Sequence, residues 1–194
     1  MRNGKFSCPN AQYVDNAALD EVFDLADAAG KVIGQAPRRL CHGDPALRHQ
    51  AVHVLVFDRN GSLFLQKRSR HKDTAPGLWD TSVGGHLQPG ESYEQAARRE
   101  TLEELGFIPQ SLRPAYRYEW ATPRETELIQ AFATRHAGPF QLQPEEIDEG
   151  RFWSPREIEA ALDGPLFTPQ FRLEYPRMKA WWQAHGETQP EQQP

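Results

Sequence analysis

Three segments of the chain alternate apolar and polar residues with the period of a β-strand, and each contains a turn signal near its middle. They cover residues 21–38, 49–69 and 115–135. The second is the clearest, because valines alternate up to an Asn60-Gly61 pair, which is typical of a tight hairpin turn. The pattern therefore predicts three antiparallel strand pairs.

Helical patterns follow capping signals. Ser92 with Gln95 forms a capping box and Gly106 stands where a helix ends, which predicts a helix of about 13 residues. A short strand at 151–153 leads into a second helix. The last helix opens after Thr168, and its aromatic residues recur at helical spacing, which favours core packing over ligand contact. Pro176 should kink it.

Length, composition and charge narrow the class of protein. The 194 residues suffice for one domain, and 16 prolines with 14 glycines favour a loop-rich α+β protein over a bundle. The net charge of −5 argues against nucleic acid or an anionic membrane as the main partner. Cys8 and Cys41 imply no disulfide framework. No apolar run suits a signal peptide or membrane span, so we expect a cytoplasmic protein.

The domain organisation follows from composition. Residues 1–15 lack periodicity and are expected to form a flexible N-terminal arm. Residues 186–194 are polar and rich in proline and glutamine, which predicts a disordered tail. Residues 16–185 show no linker or repeat, so they should form one domain.

The helix after Ser92 carries three carboxylates on one face, at positions i, i+3 and i+4: Glu100, Glu103 and Glu104. Like charges at this spacing repel. One interpretation is a solvated face with Arg98 and Arg99 as ion-pair partners. The other is a site for a dication, because oxygen ligands on one rigid face suit Mg²⁺ or Mn²⁺. The preceding Gly84-Gly85 segment, a predicted loop, favours the dication, since it lets backbone approach a ligand.

The same stretch resembles the Nudix box, G-x5-E-x7-R-E-U-x-E-E-x-G-U, in which U is a bulky apolar residue. The matching positions are Gly85, Glu91, Arg99, Glu100, Glu103, Glu104, Gly106 and Phe107. Thr101 at the first U is the one departure. Seven invariant positions would coincide by chance in roughly 10⁻⁸ of windows, so the signal is specific.

This resemblance implies an α/β fold, namely an α/β/α sandwich with a central mixed sheet. It implies magnesium-dependent hydrolysis of a diphosphate bond in a nucleoside diphosphate derivative. The candidate metal ligands or bases that it implies are Glu100, Glu103, Glu104 and the Gly84 carbonyl. Arg99 would orient a carboxylate, with Glu91 as its partner. Glu125 or Glu127 would complete the site from outside the box.

Residues from about Glu21 to Tyr175 also resemble isopentenyl-diphosphate isomerase, through "LQKRSRHKDTAPGLWDTSVGGH" and "ETE". This resemblance implies a second metal site at five positions: His42, His49, His86, Glu125 and Glu127. It also implies a diphosphate-binding segment with Lys67, Arg68 and Lys72, for which a solvated basic loop is the alternative. The catalytic cysteine of that family falls on Gly84, and its sheltering tryptophan falls on Gln170.

The balance of these features favours hydrolysis, because the box carboxylates are present and the isomerase cysteine is not. An isomerase-like enzyme and a non-catalytic nucleotide-binding module are the alternatives. The partner is expected to be a small-molecule diphosphate. A homodimer is expected only from the general frequency of dimers. Four aromatic residues could stack a base, but core packing is the more common role: Trp79, Tyr116, Tyr118 and Trp120.

Overall fold

The computed structural model describes residues 21–185. The predicted arm at 1–15 and the predicted tail at 186–194 lie outside that range. Within it, the chain forms a nine-stranded sheet and four helices. Their order is β1 Val22–Ala26, β2 Val32–Pro37, α1 Arg38–Cys41, β3 His49–Phe57, β4 Leu63–Arg68, β5 Trp79–Asp80, β6 Val83–His86, α2 Tyr93–Leu105, β7 Arg113–Ala121, β8 Thr126–Arg135, β9 Ile147–Trp153, α3 Pro155–Ala161 and α4 Pro169–His185.

The three predicted strand pairs are all present as antiparallel neighbours: β1 with β2, β3 with β4 and β7 with β8. Strand β3 also runs parallel to β8 and antiparallel to β6, which makes the sheet mixed. The predicted strand at 151–153 extends back to Ile147, because β9 pairs along the length of β4. The expected α/β class with a central mixed sheet is confirmed.

One local prediction was wrong. The glycine segment before the box helix was expected to be a loop, but Val83–His86 forms strand β6 against β3. Glycine has a low intrinsic tendency to form strands, so this strand depends on its partner rather than on its own sequence. The pairing fixes Gly84 and Gly85 against the middle of the sheet.

Helix α2 begins and ends as predicted. The Ser92 side chain accepts a hydrogen bond from the backbone N–H of Gln95, and the Gln95 side-chain oxygen accepts one from the backbone N–H of Ser92. Gly106 closes the helix in the left-handed conformation at φ 76°. Thr101, the departure from the box, is buried, and its hydroxyl donates to the Ala97 carbonyl at 2.6 Å. A polar residue is tolerated there because its hydroxyl is satisfied within the helix.

The two long helices cover opposite faces of the sheet. Residues that alternate along β3 divide between two apolar clusters, and successive strand residues point to opposite faces. Val52, Val54 and Val56 share a cluster with Ala96, Ala97 and Leu105 of α2. Leu55 and Phe57 share the other with Phe171, Tyr175 and Met178 of α4. These α4 residues are core, as expected; Pro176 lies inside α4, and its kink stays a prediction. Among the helices of residues 21–185, none has the length and apolarity that a membrane crossing requires.

Candidate active site

A cavity of about 870 Å³ opens beside α2 and β6. The candidate site residues that line it are Gly84, Arg99, Glu100, Glu103, Glu104, His42, His86, Glu125, Glu127, Arg68 and Lys72. Glu91 and His49 stand behind this surface in contact with lining residues. Lys67 does not line the cavity; its ammonium lies 3.8 Å from Glu149. Alternation along β4 explains this, since Gln66 and Arg68 face the cavity and Lys67 faces away.

Arg99 organises the carboxylates of the box. Its guanidinium donates to both Glu91 oxygens, at 3.0 and 2.8 Å, and to the His86 carbonyl at 2.9 Å. Its remaining nitrogen donates to Glu100 at 2.8 Å and to Glu103 at 3.1 Å. Burial raises the pKa of Glu91, but the Arg99 hydrogen bonds outweigh it and the net pKa is lowered. One arginine thus offsets the repulsion that the helical spacing creates.

Glu104 is the carboxylate that Arg99 does not reach. It is buried, and Gln66 Nε2 donates to its Oε2 at 3.0 Å. Burial, together with the nearby Glu100 carboxylate, raises the pKa of Glu104 to about 8. Burial likewise raises the pKa of Glu100 despite its contact with Arg99. A buried carboxylate beside a half-buried one supplies oxygen donors whose negative charge a hard dication stabilises.

Gly85 explains how Glu100 reaches its place. A Cβ at residue 85 would overlap the Glu100 carboxylate, so a side chain there would displace it. The glycine of the box is therefore required because the Glu100 carboxylate lies against its backbone, and not because the backbone turns there. Its backbone lies in β6, and the pairing of Gly85 with Val52 of β3 sets its position.

Three histidines from different elements of the chain meet beside the cavity. Their ring centroids lie 5.2–5.4 Å apart: His42, His49 and His86. Glu127 lies 3.2 Å from His86 Nε2, and Glu125 lies 3.3 Å from His42 Nδ1. The parallel pairing of β3 and β8 brings this about, because it sets His49 opposite Glu127. We refer to these five residues as the histidine cluster.

The electrostatics of the histidine cluster fit a cation. Burial and the neighbouring His86 lower the pKa of His42 to about 3 and that of His49 to about 4. Both rings are neutral at pH 7, and the Nε2 atom of each is buried without a hydrogen-bond partner among residues 21–185. Burial raises the pKa of Glu127, but the His86 hydrogen bond outweighs it and holds the pKa at about 2. Neutral imidazoles with anionic carboxylates form a typical transition-metal donor set.

Two candidate phosphate-binding cations of the cavity, Arg68 and Lys72, pair with carboxylates. Arg68 lies 3.4 Å from Asp80 and also donates to Thr74. Lys72 pairs with Glu146, which lines the cavity too. Both side chains are partly buried, which differs from the solvated basic loop that was the alternative.

Sequence reasoning missed several polar residues of this region. Gln66 and Glu146 contact Glu104 and Lys72, and a buried pair of His53 and Glu174 lies below the cavity. The sequence signal that could have identified them is a polar residue within an apolar strand, as at Gln66 and His53. Of the aromatic candidates, Trp120 lines the cavity, whereas Trp79 packs in the core against Trp153.

The sheet covered by α2 and α4, with the carboxylate helix at one cavity, has the organisation of a Nudix domain. The NUDIX domain model matches residues 47–172, and the chain belongs to this family. An uncharacterized Nudix hydrolase of Yersinia pestis is 39% identical over 155 residues, which cover 79% of this chain and 82% of the relative. The predicted family is thus confirmed.

Two further relatives bear on the fold and on the second resemblance. An isopentenyl-diphosphate Delta-isomerase of Streptomyces griseus is 36% identical over 143 residues, which cover 71% of this chain and 73% of the relative. The crystal structure of DR0079 from Deinococcus radiodurans is 28% identical, with a TM-score of 0.69 over 82% of this chain and 98% of that one. The similarity therefore extends well beyond the box.

Proposed function

We propose that this protein is a Mg²⁺- or Mn²⁺-dependent hydrolase that cleaves a diphosphate bond in a nucleoside diphosphate derivative. The observation that carries the proposal is the placement of Glu100 and Glu104 on one rigid helix. They face a cavity that also holds Arg68 and Lys72. Carboxylates that bind a dication and cations that bind phosphate oxygens are thereby combined in one space.

The metal ligands that we propose are of two kinds. Glu100, Glu103, Glu104 and the Gly84 carbonyl would hold Mg²⁺ or Mn²⁺ at α2, and the histidine cluster would hold a second metal. When bound, such ions neutralise diphosphate charge and lower the pKa of a bound water. The raised pKa of Glu104 and the unpartnered Nε2 atoms of His42 and His49 support this assignment.

The chain's own residues have distinct roles in this proposal. Arg68 at the end of β4 and Lys72 in the loop that follows would bind phosphate oxygens. Arg99 keeps Glu100 and Glu103 in place through its contacts with Glu91 and the His86 carbonyl. Glu104 is our candidate for the group that takes a proton from the attacking water, as the alternative to binding metal, because it faces the cavity and is the box carboxylate that Arg99 does not hold.

Phosphorus NMR with a panel of diphosphates in Mg²⁺ tests the proposal. The panel contains nucleoside triphosphates, nucleotide sugars, dinucleotides, coenzyme A and isopentenyl diphosphate. Monophosphate resonances that appear with the wild type and not with Glu104→Gln are the expected result. Glu94→Gln is the matched control, since Glu94 lies on the same helix, pairs with Arg98 at the surface and does not line the cavity. Ligand binding without turnover across the panel would favour the nucleotide-binding module instead.

Isomerisation of an isoprenoid diphosphate is the second candidate function. The assembled histidine cluster favours it, together with the identity to an isopentenyl-diphosphate Delta-isomerase. Gly84 offers no side chain for proton transfer, and Gln170 donates to Glu127 at 2.9 Å. Conversion of isopentenyl diphosphate to its allylic isomer, followed by proton NMR, would establish this function in place of hydrolysis.

A further inference from the structure

A buried ion pair joins β3 to α4 beneath the cavity. His53 Nδ1 lies 2.6 Å from Glu174 Oε2, although 121 positions separate the two residues. His53 is 6% exposed and Glu174 is 0% exposed. The second Glu174 oxygen accepts a hydrogen bond from the Tyr116 hydroxyl at 2.9 Å. Both oxygens of the carboxylate are therefore engaged, one by the imidazole and one by the phenol.

Stability alone is a weak reason for such a pair. Removing two charges from water costs several kcal/mol per ion, and apolar residues of similar volume often stabilise a fold as well or better. The surroundings of the pair are suited to apolar packing, since Phe171, Tyr175 and Met178 on the same helix are core residues. The charged pair therefore calls for a role beyond attaching α4 to the sheet.

The ring of His53 offers its other nitrogen to the cavity. His53 lines the cavity, and its ring hydrogen bonds within the described chain both involve Nδ1, to Glu174 and to Tyr118. Gly84 lies opposite His53 in the pairing of β3 and β6. A Cβ at Gly84 would lie 3.4 Å from His53 Nε2 and 3.3 Å from Cδ2, so the glycine leaves this edge of the ring uncovered.

His53 differs in this respect from three other cations of the cavity. Arg68, Lys72 and Arg99 direct their donor groups at carboxylates in or beside the cavity wall. The carboxylate that compensates His53 belongs to Glu174, which is fully buried and does not line the cavity. Nε2 is consequently fixed in direction by Glu174 and remains uncommitted towards a ligand.

We propose that His53 Nε2 donates a hydrogen bond to an oxygen of the diphosphate group bound in the cavity, and that Glu174 and Tyr116 are positioning residues for this contact. The identity of the ligand rests on the function proposed above. Diphosphate oxygens accept hydrogen bonds and do not donate them, so they need a donor at this wall. His53 is the charged partner of the fully buried Glu174 carboxylate, and a buried carboxylate requires such a cation, so the imidazolium carries a proton on both nitrogens.

The test uses methylenediphosphonate, a diphosphate analogue that cannot be hydrolysed, with Mg²⁺ and the full-length protein. Nitrogen-15 NMR of the histidine side chains follows its binding, and the His53 signals are assigned by their loss in His53→Gln. We expect the Nε2 resonance of His53 to shift as the analogue is added. A His53 resonance that stays in place up to millimolar analogue overturns the proposal.

Paired variants separate the contact from a purely structural role. The double variant His53→Leu/Glu174→Leu removes both buried charges together and should keep the thermal unfolding midpoint near that of the wild type. Calorimetric affinity for the analogue should fall about ten- to hundredfold, as expected for a charge-assisted hydrogen bond. Unchanged affinity in this variant would overturn the proposal.

Tyr116→Phe tests the positioning roles. It removes only the hydroxyl that fixes Glu174, so the affinity for the analogue should fall less than in the double variant, and the His53 Nδ1 resonance should move. A lower unfolding midpoint with unchanged affinity would assign Tyr116 to stability alone and overturn its role. Neither readout requires turnover, so a silent hydrolysis panel would reject the proposed function and leave this contact to be decided separately.

Discussion

Arg99 donates hydrogen bonds to both carboxylate oxygens of Glu91, and its third nitrogen donates to Glu100 and Glu103. Glu91 lies before α2, so this contact ties the start of the box to the middle of its helix. Without it, Glu100 and Glu103 would be held only by the helix backbone and would repel each other at i and i+3. The arrangement keeps the two carboxylates close enough to share a ligand.

Glu91→Gln should lower turnover about ten- to hundredfold, because an outer partner that orients metal-binding carboxylates is typically worth that much. Without the negative charge of Glu91, the Arg99 guanidinium would interact more strongly with the Glu100 carboxylate. The measurement is kcat/KM on the substrate that the panel identifies, at several Mg²⁺ concentrations. Glu94→Gln provides the comparison. Equal kcat/KM values for the two variants would show that the position of Arg99 does not depend on Glu91.

Glu104→Gln should lower turnover by about 10²–10⁴-fold if Glu104 accepts the proton of the attacking water. The fold should persist, since the glutamine oxygen can still accept the hydrogen bond from Gln66. Circular dichroism and the unfolding midpoint measure whether the fold persists. Activity within tenfold of wild type would remove this carboxylate from the mechanism.

Replacing His42 and His49 together by alanine should remove one bound metal ion per chain. Their Nε2 atoms are buried and have no hydrogen-bond partner in the described chain, so a cation is the ligand that would satisfy them. Metal content after dialysis against Mn²⁺ or Zn²⁺ gives the stoichiometry. His71→Ala, an exposed histidine that does not line the cavity, is the control. If both proteins bind the same number of ions, the paired histidines are structural.

The stability of the metal-free protein should fall as pH rises from about 6.5 to about 9. The pKa of His53 is raised to about 9 in the folded chain against an ordinary value of 6.5, so its contribution is complete below 6.5 and is lost as the pH passes 9. Urea unfolding at the two pH values measures this change. The pKa of Glu104 adds a decline of the same sign below about 8, so the slope belonging to His53 is the part that disappears in His53→Leu/Glu174→Leu. An identical slope in wild type and double variant would contradict the raised pKa.

Local sequence determined much of the fold. The capping box at Ser92, the glycine at 106 and the three alternating segments specify α2 and three strand pairs through contacts between near neighbours in the chain. The box positions also place Glu100 and Glu103 on one helix face with Arg99 beside them, because helical periodicity alone requires it. The family follows from that spacing.

Tertiary structure decided which of these groups are buried, and with what partners. Glu103 and Glu104 are adjacent in sequence, yet only Glu104 is buried, because Gln66 lies on its side of the helix, and burial raises the pKa of Glu104 to about 8. Strand β6 was missed since its glycines form a strand only against β3. The burial of Glu104 and the formation of β6 could not be predicted for the same reason: burial and strand pairing depend on residues distant in the chain.

The histidine cluster and the His53–Glu174 pair show most clearly what local sequence predicts and what tertiary structure decides. The types of the ligands could be read from the chain, but their convergence depends on the parallel pairing of β3 with β8 and on the antiparallel pairing of β3 with β6. The contact of His53 with Glu174 spans 121 positions and depends on how α4 packs on the sheet. The sequence by itself determined the box helix, the strand pairs and the chemistry available, because these rest on short-range periodicity and capping. Only the tertiary structure decided which side chains share a cavity and which charges are desolvated, because these depend on long-range packing.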